Sequence, residues 1–413
     1  MKTPTCIYCG QLGPFTDEHI FPAGLGGDDR RFLLKNLVCR SCNTDVFSKL
    51  EAKFMRNSPV ALARIFLQAR GRGKGKNASI PKFETASNTV SDPKTGCLLE
   101  AELQVGGKPV VLPQIVMTQD QLGCTGPDAP SVKSFLERLT ARLGERVQTV
   151  EKQKQMDSTV YTVTTLSWSE GSYKSPAIEH LSQPPSDGIW IEGLSSSSTP
   201  AGARLFLRPA GQIVLRVDGA EHAVEWLTLA KSHLPTLSKT NLPSSSTIEQ
   251  PSMHIGMSVD LDAYSRVLAK IGMNFVVHAY GDEYCRHPAF DDIKVRILSG
   301  NEIVPIGMDG QHGSNFGEIF SAFGTDNHVL MLLAHDHGSG HHSVLFVVRI
   351  FGGSVHVIRL ADKDAPAPPI YGPIFMTIDY TNHVIELHNL LQMVQKIVGR
   401  QSGEIDFETC RVI

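Results

Sequence analysis

Cys6-Ile-Tyr-Cys9, Thr16-Asp-Glu-His-Ile-Phe-Pro-Ala-Gly-Leu-Gly-Gly27 and Asn36-Leu-Val-Cys39-Arg-Ser-Cys42-Asn43 follow one another within the first 43 residues. Their reading decides the fold of the N-terminal part. The two Cys-x-x-Cys pairs are separated by 29 residues. Two thiolate pairs at such spacing can converge tetrahedrally on one zinc ion. A closed site of four sulfurs leaves no position for substrate. Zn²⁺ held by Cys6, Cys9, Cys39 and Cys42 is therefore expected to be structural, stapling a segment too short to hold itself together. The other four cysteines (Cys97, Cys124, Cys285 and Cys410) are scattered singly.

The ordered set of motifs resembles the zinc-containing HNH endonucleases, in the subgroup written CxxC, then EHIxPxxLGG, then NLxxxCxxCN. The resemblance covers about residues 5–51, an eighth of the chain. It implies a ββα-metal fold in which two strands and a helix hold one divalent ion. Carried over by position, it makes His19 the general base and Glu18 and Asn43 ligands of a catalytic metal. Asn36 becomes the middle Asn, which tethers the loop and orients the base. Two positions depart from the commonest pattern: Glu18 stands where many relatives have Asp, and Asn43 where the family name expects its last His.

Elementary chemistry agrees with these roles. Phosphodiester hydrolysis needs a base for water, and an ordinary imidazole titrates near neutrality. It also needs a cation where charge develops, and carboxylate and amide oxygens suit Mg²⁺ or Mn²⁺. Adjacent residues of a regular strand point to opposite faces. Glu18 and His19 can thus serve one site only if the strand is irregular there or if they approach the site from different sides.

Charge is unevenly distributed. Residues 1–76 carry 13 Lys/Arg against 6 Asp/Glu, whereas the remainder is acidic, within a net charge of −3. A basic module on an acidic body fits phosphate contact. Arg30, Arg31, Lys35, Arg40, Arg70, Arg72, Lys74 and Lys76 are the expected nucleic-acid contacts. Asp28 to Arg31 also read as a solvated loop tip. Alternating Gly and Lys/Arg at 70–76 describes a linker.

The expected fold class is α+β: a small N-terminal zinc-bound ββα-metal module followed by a larger mixed α/β body. The boundaries read as a module over 1–68, a basic linker over 69–80, an α+β domain over 81–237, a Ser/Pro-rich linker over 238–253 and a C-terminal α+β domain over 254–413. Pro59 is expected to break or restart the helical pattern of 44–67. Within the body, helices are expected over 131–156, 221–234, 260–280 and near 385–398. Strand-like runs lie at 98–105, 110–117, 159–167, 203–217, 328–335, 343–351 and 354–360. His335-Asp-His-Gly-Ser-Gly-His-His342 reads as a hairpin end, with metal binding by its histidines as the alternative. Trp168, Trp190 and Trp226 read as core residues. The segments around Lys270-Ile-Gly-Met-Asn274 and Phe351-Gly-Gly353 loosely resemble what often follows this HNH subgroup.

Several classes are excluded. The chain has no phosphate-binding GxxxxGK[ST], no dinucleotide fingerprint and no GxSxG elbow. It has no apolar run long enough for a membrane span and no signal-peptide pattern at its start, so a cytoplasmic location is expected. Three readings follow. The first is a DNA endonuclease of bacterial defence or restriction type, whose body recognises modified DNA, a small nucleotide or a partner. The second is a zinc-stabilised nucleic-acid-binding protein without cleavage. The third is a nuclease whose body mainly builds a homo-oligomer.

Overall fold

The computed structural model describes residues 4–27, 30–71, 81–85, 87–93, 96–118, 122–155, 158–194, 202–239, 248–308, 316–338 and 340–402. Contacts divide the chain into two units. One takes the residues up to Glu84, the short piece Val105–Gly107 and everything from Met257 on; the other takes Thr85–Gln104 and Lys108–Gly256. This differs from the sequence reading, which treats 1–68 and 254–413 as separate domains. The physical reason is a shared core. Phe21, Val38, Phe47 and Phe54 belong to the same apolar cluster as Leu268, Ile271, Phe275, Phe346 and Ile378. Most of the expected basic linker, and residues 240–247 of the Ser/Pro-rich one, lie outside the described residues.

In the first unit, strands β1 (Phe15–His19) and β2 (Leu33–Cys39) pair antiparallel. A π-helical turn, Ser41–Phe47, leads into α1 (Ser48–Phe54). Helix α2 (Pro59–Leu67) restarts the chain as the pattern around Pro59 requires: Pro59 sits in the first turn, where its missing N–H costs nothing, and Ser58 Oγ accepts from Ala61 N at 3.3 Å. Helix α3 (Leu261–Tyr280) is the axis of the unit. Asp260 caps its start through Ala263 N at 2.9 Å. Residues from Ala263 to Val277 are buried without interruption, as expected for a helix that is apolar on nearly every side.

Helix α3 packs on a six-stranded antiparallel sheet, ordered Gly307–Met308, Val355–Ala365, His342–Arg349, Asn327–Asp336, Ile374–Asp379, Val384–His388. A Cβ on Gly272 would lie 2.7 Å from the Phe346 ring, so only glycine lets the helix come this close. The same holds at Gly26 (φ 94°), where a Cβ would lie 2.4 Å from Tyr380 Cα. Three expected segments differ in detail. Residues 203–217 form two strands, Ala203–Leu207 and Ile213–Val217, turning at Gly211 (φ 87°). The expected helix at 131–156 ends at Arg142, and Arg146–Lys154 is a strand, because past Gly144 the pattern of Val147, Thr149 and Val150 suits a sheet. The expected helix near 385–398 becomes strand Val384–His388 followed by helix Leu390–Ser402.

The second unit is an insertion in the sequence of the first. Its eight-stranded sheet carries the helices Ala129–Arg142 and Ala223–Leu237 in one core. Buried Glu100 binds Arg204 at 2.7 Å and Arg216 at 2.5 Å, and Arg216 also binds Glu192 at 2.7 Å. Among the described residues no helix is long and apolar enough to cross a membrane.

His328 ties the N-terminal module to the sheet of the first unit. Its Nε2 lies 2.9 Å from Leu25 O, and its Nδ1 accepts from Phe351 N at 3.0 Å. A carbonyl only accepts and an amide only donates, so Nε2 carries the hydrogen and the ring is neutral. Complete burial lowers its pKa from 6.5 to about 3. The unfolded chain therefore takes up a proton first, and stability falls as pH drops from about 6.5 toward 3. Acidification from pH 7 to 5 should cost about 2 kcal/mol through this group alone. In urea unfolding at the two pH values, His328→Gln should lose less stability on acidification than wild type by about that amount; equal losses would contradict the assignment.

Candidate functional site

The first Cys-x-x-Cys forms a knuckle: Cys6 N donates to Gln11 O, Gly10 N donates to Cys6 O, and Gly10 has φ 72°. Cys39 ends β2 and Cys42 lies in the π-helical turn. The four sulfurs lie within 4.8 Å of one another. Cys6 and Cys42 are 3.9 Å apart and Cys9 and Cys39 are 3.5 Å apart. Tetrahedral zinc with Zn–S near 2.3 Å requires sulfurs roughly 3.8 Å apart, so the cluster fits a structural zinc. The contact with Cys42, against the opposing effect of burial, holds the Cys6 thiol well below its ordinary value, and Cys39 N adds a hydrogen bond to it at 3.4 Å. Among the described residues these cysteines are the one group of His, Cys, Asp or Glu side chains that converges in this way. Around 335–342, strands Asn327–Asp336 and His342–Arg349 form the hairpin expected there, with His337 Nε2 2.9 Å from Ser343 Oγ.

Beside the zinc knuckle, β1 and β2 fall out of register. Thr16 faces Val38, but Glu18 faces Leu34. Asp17 therefore opposes three residues, Lys35, Asn36 and Leu37. This irregularity lets the neighbours Glu18 and His19 line one cleft. The cleft has a volume of about 420 Å³ and is also lined by Asp17, Asn43, Ser48, Glu51, Arg56, Arg64 and Lys82. Asn43 Nδ2 donates to Thr16 Oγ1 and to Asp17 O, both at 3.0 Å, which leaves its amide oxygen as the remaining acceptor.

Glu18 is 4% exposed. Its Oε1 accepts from Asn274 Nδ2 at 2.9 Å and is ion-paired with Lys270, both on α3. Lys270 also binds Glu51 Oε1 at 2.6 Å. Asn274 Nδ2 donates to His19 O at 3.0 Å, and its Oδ1 accepts from Tyr8 OH at 2.6 Å. Burial raises the Glu18 carboxyl above its ordinary range against the pull of Lys270. Burial works to lower the Lys270 ammonium, but the two carboxylates outweigh it and hold it above its ordinary value.

The structure thus brings Glu18, His19 and Asn43 together. Asn36 is exposed at φ 58° in the bulge of β2 and does not line the cleft. Arg30, Arg31, Lys35, Arg40 and Arg70 are exposed, and none of them lines it either. Arg72, Lys74 and Lys76 lie outside the described residues, as do Asp28 and Asp29. The cations that line the cleft are Arg56, Arg64 and Lys82. Burial, with Arg56 nearby, lowers Arg64 to about 10, so it stays charged at neutral pH. Sequence reasoning missed Glu51, Arg64, Lys270 and Asn274 as site residues. For the last two a signal existed: a lysine and an asparagine, one helical turn apart, in the mainly apolar stretch Val267–Val277.

Residues 6–59 match the family model of an HNH endonuclease. The zinc-knuckle module with its cleft is thus an HNH endonuclease module, and it supports nuclease activity in general. No curated protein and no solved structure matches the chain.

Cys39→Ser should remove the metal and lower the Tm by roughly 5–10 °C, because a closed four-ligand site contributes directly to folding. Zinc analysis by mass spectrometry beside calorimetry checks this. Full zinc occupancy in the variant would mean that Cys39 is not a ligand.

Proposed function

We propose that the protein is an HNH endonuclease that hydrolyses phosphodiester bonds of DNA in the cleft between β1 and α2. The observation that carries this reading is that the imidazole of His19 and the donors of Glu18 and Asn43 line one cleft with three cations, across from the bulge in β2. In this reading His19 deprotonates the attacking water. Arg56, Arg64 and Lys82 hold backbone phosphates, giving affinity without reading sequence.

The oxygen donors Glu18 and Asn43, which line the cleft with Glu51 and Asp17, are of the kind that suits a hard divalent cation such as Mg²⁺ or Mn²⁺. Glu18 offers only its second oxygen, because Oε1 is already taken by Lys270 and Asn274. Such an ion would supply charge stabilisation at the phosphate and the leaving oxygen. The exposed position of Asn36 favours no direct role in the cleft, and its tethering role reduces to shaping the bulge.

In the finer reading, a defence or restriction-type effector, recognition of modified DNA, a small nucleotide or a partner falls to the inserted unit, 85–256. Residues 257–413 share the core of the nuclease module and are its structural complement.

His19→Ala should lower cleavage of plasmid DNA in Mg²⁺ or Mn²⁺ by roughly 10²–10⁴-fold, with zinc content unchanged. Equal cutting by variant and wild type would remove His19 as the base. Intact DNA with both proteins under every activating condition would leave a zinc-stabilised nucleic-acid-binding protein instead.

A further inference from the structure

Helix α3 reaches the nuclease strand with two polar side chains, and neither has an ordinary reason to be there. Lys270 is 1% exposed and Asn274 is 0% exposed, and the residues between and just after them (Ile271, Gly272, Met273, Phe275, Val276, Val277) are non-polar and buried. A leucine or methionine at either position would avoid the desolvation of a buried charge or amide. Every polar atom of the Asn274 amide instead goes to the same place. Nδ2 donates to the Glu18 carboxylate and to the His19 carbonyl, and Oδ1 accepts from Tyr8, which lies between Cys6 and Cys9 of the zinc knuckle. Lys270 spans Glu18 and Glu51, both of which line the cleft, and is not itself a lining residue. Fixing a main-chain carbonyl fixes the Cα from which the His19 imidazole projects. Fixing one carboxylate oxygen aims the other.

We propose that Lys270 and Asn274 are positioning residues of the nuclease site: from residue 257 onward the chain supplies the two side chains that orient Glu18 and His19, and the module is catalytically complete only with α3 packed against it. Asn274 also links the zinc knuckle to the catalytic strand through Tyr8, so the structural metal and the site share one hydrogen-bonded path. This rests on the nuclease reading above.

The test uses the full-length chain. Asn274→Ala should lower kcat for DNA cleavage by roughly 10–100-fold, the usual effect of losing an orienting partner. KM, and the Kd for DNA measured by fluorescence anisotropy in Ca²⁺, should stay within about twofold. Zinc should remain stoichiometric. Lys270→Met leaves the buried Glu18 and the half-buried Glu51 without their shared cation and is expected to unfold more easily. The double variant Lys270→Met/Glu51→Gln removes one of those charges. It should regain thermal stability while its kcat stays well below that of Glu51→Gln alone. Three results would overturn the inference while sparing the nuclease reading: wild-type kcat in Asn274→Ala; a loss of activity in it that merely tracks lost zinc or a lowered Tm; or activity in the double variant that returns with its stability. A wild-type protein that cuts no DNA would remove the nuclease reading itself, and this inference with it.

Discussion

The buried ammonium of Lys270, held between Glu18 and Glu51, is the interaction on which the first unit depends. A lone lysine in an apolar core would neutralise itself or destabilise the fold. With two carboxylates in contact it stays charged, and removing it would leave the acids uncompensated, at a cost of about 3–5 kcal/mol for a broken buried pair. The geometry that satisfies Lys270 also fixes where Glu18 and Glu51 stand, and both line the cleft. Electrostatic satisfaction and site construction are therefore one event. The bulge in β2, the glycine at 26 against Tyr380 and the glycine at 272 against Phe346 let these segments come close enough for it.

The architecture follows from the same constraint. Two strands and a zinc knuckle bury too little surface to be stable alone. The metal staples their ends, and α3 with its sheet covers their apolar face: Phe21, Phe47 and Phe54 are fully buried in the cluster that also contains Leu268 and Phe275. The nuclease segment is split in sequence from its own core by 85–256. An insertion with its own cores, held by the Glu100–Arg204–Arg216 ion set, adds a second unit without interrupting the first. Two buried networks of opposite charges thus serve different ends. In the second unit the network joins a strand of a four-stranded sheet to two strands of the eight-stranded sheet, and in the first it sits beside a cleft.

Local chemistry was legible in the sequence. Cys6, Cys9, Cys39 and Cys42 declare the metal because few other uses fit two thiol pairs at that spacing. That Glu18, His19 and Asn43 line one cleft agrees with their motif, and strand geometry asked for either an irregular strand or an approach from different sides to bring Glu18 and His19 to one site. Long-range packing was not legible. Nothing in the spacing of Lys270 and Asn274 says that they meet residues about 250 positions earlier, although a charge inside an apolar helix implies a partner. The basic residues misled for a related reason. Arg30, Arg31 and Arg40 lie close to the motifs in sequence, but the fold turns them to solvent, while Arg64, hidden in a helical pattern, faces the cleft. The helix expected over 131–156 ends early: charge density masks a change of period, and Gly144 lies in the turn between the helix and the strand that follows.

The central claim is that the zinc knuckle, the strand carrying Glu18 and His19, and α3 are one cooperative structure joined through Tyr8, Asn274, Lys270 and Glu18. Hydrogen exchange read by mass spectrometry on the full-length protein, before and after zinc chelation, tests it most directly. Chelation should speed exchange over residues 264–277 together with residues 33–42. Unchanged protection of 264–277, with exchange rising only in the N-terminal segment, would contradict it.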